Sequence, residues 1–209
     1  MKIVVDQLSK TIKGVTVLDR INCEFCSGTI YGLVGQNGSG KTMLMRAISG
    51  LIHPSEGTIT YDGKILHKDF DFPPKIGVLI EKPEFLNSFS GFENLQLLAN
   101  INKVISDDKI KEYLRMFALD PDSKLPIKKY SLGMKQKIGI IQAIMEDPDI
   151  LILDEPFNAL DSATVDILRE QLLNYRTKEK LIIISSHHKQ DIEAICDDVM
   201  KLEDGRLIV

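Results

Sequence analysis

Two short stretches of this 209-residue chain carry residue types and spacings that could do chemistry. The first is Gly35-Gln36-Asn37-Gly38-Ser39-Gly40-Lys41-Thr42, a full G-x-x-x-x-G-K-[ST]. Its glycines permit backbone angles that turn several N–H groups inward, and a helix opening at Lys41 adds the positive end of its dipole. Such a cradle suits a nucleoside triphosphate. Lys41 is expected to reach the β- and γ-phosphates, Thr42 to hold Mg2+ through its hydroxyl, and Met43 to extend the contact set. The second stretch is Asp154-Glu155, directly after Ile150-Leu151-Ile152-Leu153. Ligands of open α/β sheets bind beyond the carboxyl ends of the strands, so both acids are well placed. Asp154 is expected to orient Mg2+ or its waters, and Glu155 to position or deprotonate an attacking water. Pro156 forces a turn just beyond them.

The elements that position these residues are legible from apolar periodicity and breakers. Strands are expected at Lys2–Leu8, Val15–Ile21, Tyr31–Val34 and Thr58–Tyr61, separated by Gly14, Gly28 and Gly57. A helix should run from Lys41 to about Ser49, stopped by Gly50 and Pro54. Ile76–Ile80 is a further short strand. Ser90 and Glu93 form a capping-box pair, Ser106 opens the next helix with Asp107 and Asp108, and a third begins after Ser131 and ends before Pro148. The chain then alternates: strand Ile150–Leu153, helix Ser162–Tyr175, strand Leu181–Ser185, helix Lys189–Cys196. That order implies a parallel sheet with crossover helices. The expected fold class is α/β: a single domain over 1–209, with an α/β core at 1–87 and 148–209. Its N-terminal part is an antiparallel β subdomain, and 88–147 is an inserted helical subdomain.

Composition removes several alternatives. With 26 Lys plus Arg against 30 Asp plus Glu, net charge is −4, so no nucleic-acid partner is expected. Lys128 and Lys129 are candidates for a local basic patch, but a run that short reads as solvated surface. The apolar run at the N-terminus is too short for a signal peptide, and no stretch approaches the ~20 residues that span a bilayer. The chain is therefore expected in the cytoplasm, reaching a membrane only through a partner. Cys23 and Cys26 form a lone C-x-x-C on a strand, where residues three apart face opposite sides, so incidental thiols are expected rather than a metal or redox site.

Three more segments narrow the class. Tyr130-Ser131-Leu132-Gly133-Met134-Lys135-Gln136 resembles the signature motif of ABC ATPases, Asn158-Ala159-Leu160-Asp161 resembles their D-loop, and Ser185-Ser186-His187 their H-loop. With the phosphate loop and strand-end acids they run in the family's order from Ile3 to Arg206, so the chain is similar to ABC transporter ATP-binding subunits. The resemblance implies a P-loop NTPase with a RecA-like core. It implies a homo- or heterodimer, head to tail on two ATP molecules, in which Ser131 and Gly133 contact the γ-phosphate held by the other subunit and Asp161 communicates across the dimer. His187, rather than the adjacent His188, would bond the γ-phosphate and orient Glu155. It further implies an integral membrane transporter subunit as partner, and a peripheral location on the inner face of the cell membrane.

Three departures stand out. The usual glutamine of the Q-loop is Glu81, a candidate Mg2+ ligand and catalytic residue; with Leu132-Gly133-Met134 it resembles the bacitracin- and lantibiotic-type export and self-immunity branch, implying a peptide or antibiotic substrate. Near the adenine, where an aromatic ring often stacks, stands Ile12, supplemented by Val17, which leaves room for GTP. No added C-terminal regulatory domain is expected. Phe85, Leu86, Phe89 and Phe92 lie where the family receives a coupling helix, and are expected either to dock the membrane partner or to be core. The alternative function is a soluble ABC ATPase in protein assembly, translation or DNA repair; a single nucleotide site, no coiled-coil heptads and no basic excess speak against it.

Overall fold

All four residues of Ile150–Leu153 and all five of Leu181–Ser185 are buried, which explains why these strands read as unbroken apolar runs. A strand covered on both faces has no solvent side to alternate with. The computed structural model describes residues 1–208 except Lys82 and His188, and the backbone alone of Lys189. Its strands are β1 (Lys2–Ile12), β2 (Val15–Cys26), β3 (Ile30–Val34), β4 (Glu56–Tyr61), β5 (Lys64–Ile65), β6 (Ile76–Leu79), β7 (Ile150–Leu153), β8 (Leu181–Ser185), β9 (Asp198–Glu203) and β10 (Arg206–Ile208). Its helices are α1 (Lys41–Ile48), α2 (Gly91–Asn102), α3 (Asp107–Met116), α4 (Leu132–Ile144), α5 (Ser162–Thr177) and α6 (Lys189–Ile195).

The strands form two sheets. One is antiparallel, in the order β2-β1-β4-β5. The other runs β10-β9-β3-β8-β7-β6, parallel from β9 to β6, with β10 pairing antiparallel to β9 at the edge. Side chains of the parallel strands alternate between two cores. Tyr31, Leu33, Ile150, Ile152, Leu181 and Ile183 face α1 and the antiparallel sheet. Ile30, Leu151, Leu153, Ile182 and Ile184 face the helices α2–α6. Burying each such side chain contributes about 1.5–3 kcal/mol, so this two-sided sheet is the rigid platform of the molecule. The buried side chains of α2, α3 and α4 belong to the second core; α4 packs on β6 and β7, and α2 and α3 pack on each other and on α4. A Cβ on Gly77 would stand 1.9 Å from Ala143 O, so glycine is what lets α4 lie so close to β6.

The α/β class, the antiparallel N-terminal part and the helical insertion agree with expectation. β1 and β2 are longer than expected because Lys13 and Gly14, both with positive φ, turn the chain in a two-residue hairpin that keeps the strands paired to Ile12 and Val15. β9 and β10 were not foreseen. Only Leu202 of β9 is buried, so the apolar alternation that marks a strand is faint. The hairpin signal was nonetheless present in Asp204-Gly205, both at positive φ.

No described helix is long and apolar enough to cross a membrane. Burial pushes the thiols of Cys23 and Cys196 up to about 12, Cys26 is exposed, and no metal-binding cluster of three ligands occurs among the described residues. These thiols are thus poor nucleophiles or isolated ones.

Candidate functional site

The phosphate loop leaves β3 at Val34 and enters α1 at Lys41. Its shape depends on two glycines. A Cβ on Gly35 would stand 2.3 Å from Leu202 O, and Gly40 caps α1 at φ 106, where a Cβ would stand 3.0 Å from Val17 O. The first turn of α1 carries no acid, so the helix dipole's positive end is offered to the loop uncompensated. Lys41 is buried at 6 % exposure, and its Nζ donates to Gly35 O at 2.7 Å and Gln36 O at 3.2 Å. A buried ammonium whose partners among the described residues are neutral carbonyls is electrostatically short of an anion, which a phosphate would supply. Ser39 Oγ is buried and has no hydrogen-bond partner among the described residues.

Opposite the loop stand the strand-end acids. Thr42 Oγ1 donates to Asp154 Oδ2 at 2.6 Å. Ser185 Oγ, fully buried at the end of β8, donates to Asp154 Oδ1 and accepts the Glu155 N–H at 2.9 Å. Glu155 adopts φ 50, a left-handed conformation that costs a non-glycine residue about 1–2 kcal/mol. Its Oε2 meets His187 Nδ1 at 2.8 Å and the His187 N–H at 3.3 Å. Between loop and acids lies a cavity of about 290 Å3, lined by Val17, Asn37, Gly38, Gly40, Lys41, Thr42, Met43, Asp154 and Glu155. Every one of these residues was expected from the sequence. Thr42 hydroxyl and Asp154 carboxylate are hard oxygen donors side by side on the cavity wall, a donor set that fits Mg2+.

The ABC transporter family profile matches residues 18–158. The chain belongs to the ABC transporter family, as an ATP-binding subunit. It is 48 % identical to the ABC transporter ATP-binding protein YybJ of Bacillus subtilis (strain 168), over 96 % of this chain and 92 % of that one. It is 36 % identical to the bacitracin transport ATP-binding protein BcrA of Enterococcus faecalis, over 97 % of this chain and 67 % of that protein. Among solved structures, an ATP-binding subunit of an ABC transporter superposes with a TM-score of 0.88 at 28 % identity, covering 100 % of this chain and 89 % of that one. As a member of this family the subunit binds ATP and hydrolyses it to power transport.

Other expected residues of this ATP-binding subunit lie outside the cavity wall. Gly35 and Gln36 line the loop's other side, beside His187. Ser131 is exposed and caps α4, its Oγ accepting the Met134 N–H at 3.2 Å. Gly133 backs onto the segment after β7, where a Cβ would stand 2.5 Å from Ala159 O. Asp161 caps α5 through the Thr164 N–H, and its carboxyl is held down at about 2 by that bond and by Lys137. Ile12 is exposed near the β1–β2 turn and does not line the cavity, whereas Val17 does. Glu81, at φ 60, pairs with Arg46 of α1 at 2.8 Å rather than facing the cavity. His188 lies outside the described residues.

Four side chains of the subunit's site were not singled out from the sequence for these contacts. Ser185 holds both acids, Arg46 holds Glu81, Gln136 donates to Glu155 O and Pro156 O, and Lys137 pairs with Asp161 at 3.1 Å. Arg46 had a signal: it follows Thr42 by four residues, so both lie on one face of α1. The other three depend on contacts between segments far apart in sequence.

Proposed function

We propose that this chain is the ATP-hydrolysing subunit of an exporter for a peptide or antibiotic-like compound, docked on a separate membrane-spanning subunit at the inner face of the cell membrane. Support for the substrate class comes from relatives named for bacitracin transport and, at 32 % identity, for lantibiotic transport in Streptococcus pyogenes. The observation that carries the hydrolytic reading is the cavity itself, with the phosphate loop on one wall and Asp154 and Glu155 on the other.

In this reading the loop amides and Lys41 bind the β- and γ-phosphates. Thr42 and Asp154 would hold Mg2+, which would neutralise charge developing on the phosphates. Glu155 orients the attacking water and takes its proton onto a carboxylate oxygen as the water oxygen bonds to the γ-phosphorus. The bond from that phosphorus to the β–γ bridging oxygen breaks, and ADP and phosphate leave. His187 meets Glu155 through Nδ1 and, in this reading, bonds the γ-phosphate and helps to orient Glu155 and the water. Ser131, Gly133 and Asp161, which stand away from the cavity, serve the nucleotide of a second ATP-binding subunit packed head to tail. Glu81, a further candidate to hold Mg2+, would have to part from Arg46 to do so.

The test is Glu155→Gln. ATP affinity should be retained while hydrolysis falls by about 100-fold or more, the scale of a lost general base. Unchanged turnover would remove Glu155 from the role. Isolation of the chain from native membranes should bring with it an integral membrane subunit.

A further inference from the structure

The peptide unit between Glu155 and Pro156 is unusual in how it is held. Because residue 156 is proline, this unit has no N–H, so its orientation can be fixed by hydrogen bonding only through Glu155 O. That carbonyl accepts the Asn158 N–H at 3.2 Å, a contact within its own turn, and Gln136 Nε2 at 3.3 Å. The same Gln136 nitrogen reaches Pro156 O at 3.2 Å. Gln136 therefore anchors two successive carbonyls of the catalytic segment to α4, a different element. On the other side, Ser185 anchors the Glu155 N–H to the sheet.

This matters because Glu155 sits at φ 50. A left-handed non-glycine residue keeps its conformation only when its surroundings over-determine it. Rotating the 155–156 peptide would swing the Glu155 Cα–Cβ bond and with it the carboxylate. The far end of the segment is pinned to the same helix: the nearly buried Lys137 pairs with Asp161 at 3.1 Å, and Gly133 lies against Ala159.

We propose that Gln136 is a positioning residue for hydrolysis, aiming Glu155 from α4 by gripping the carbonyls of residues 155 and 156. The inference rests on Glu155 being the base.

The test is a double-mutant cycle on the protein purified with its membrane partner. Gln136→Leu should lower kcat by about 10- to 100-fold, the scale of a misplaced catalytic group, with the KM for ATP unchanged within about twofold. In a Glu155→Gln background the same change should cost nothing further, because a residue that acts through Glu155 has nothing left to aim. Gln136→Glu should be slow at neutral pH and recover relative to the native protein on acidification. A carboxyl facing two carbonyl oxygens bonds to them only when protonated. Native kcat in Gln136→Leu would overturn the proposal. So would an equal further loss in the Glu155→Gln background. Should Gln136→Leu fail to fold, the Gln136→Glu pH profile decides, and a profile parallel to the native one would overturn it. If Glu155→Gln itself turned over normally, the base assignment would fall instead.

Discussion

Removing one oxygen, by Ser185→Ala, should expose how much of the site's order depends on a single hydroxyl. Ser185 Oγ is fully buried, donates to Asp154 Oδ1 and accepts the Glu155 N–H at 2.9 Å. Alanine leaves Asp154, itself 7 % exposed, without that donor, and leaves the Glu155 N–H without its acceptor. A hydrogen bond to a charged group is worth about 1.5–3 kcal/mol and a neutral one about 0.5–1.5, so the loss should be about 2–4 kcal/mol. The volume change is one oxygen, so no cavity term of consequence adds to it. In a chain of this size each kcal/mol moves Tm by about 2–4 °C, giving a fall of about 5–15 °C. Urea unfolding of nucleotide-free protein should show the midpoint lower by about 1 M with the slope m unchanged. ATP turnover should fall as well, since both acids lose their common brace. A midpoint shift below about 0.2 M at constant m would refute the reasoning, for the hydroxyl would then not be holding the acids in the folded state.

Two further outcomes are expected. Asp161 has its carboxyl depressed to about 2 against an ordinary value of 3.8, chiefly by the Thr164 backbone and then by Lys137. A depressed carboxyl stabilises the fold above its unfolded value and loses that contribution as pH falls towards the folded one. Acid titration should therefore show native protein losing stability between about pH 4 and pH 2 that Asp161→Asn does not lose, with the difference shrinking in high salt because the group is exposed; superimposable acid limbs would contradict it. At the surface, Phe89 is 39 % exposed and Leu86 54 %, while Phe85 and Phe92 pack against the helical core. Phe89→Asp should release the membrane subunit in pull-down with ATP binding intact, and retention of that subunit would count against this docking surface.

The phosphate-loop motif was legible because its shape is set locally. Gly35 to Thr42 are contiguous, flanked by a strand and a helix, and their residue types dictate the loop's backbone. Asp154 and Glu155 were legible because a buried strand announces its own end. The sheet could be read from runs such as Leu181–Ser185, whose two faces are both covered. In each case the determining interactions lie within about ten residues, where periodicity and backbone preference act directly.

What only the tertiary structure decided is which distant side chains meet. Ser185 follows the acids by 30 residues or more, Gln136 precedes Glu155 by 19, and Glu81 finds Arg46 on another element. Nothing in the types Ser, Gln or Arg marks these partners, since each forms hydrogen bonds in many settings. Likewise Ile12 and Val17 are both apolar strand residues, yet only Val17 reaches the cavity. The sequence by itself determined the chemistry and the layers that carry it. The aim of each candidate group was decided by packing, because direction in space is set by contacts that the one-dimensional chain does not contain.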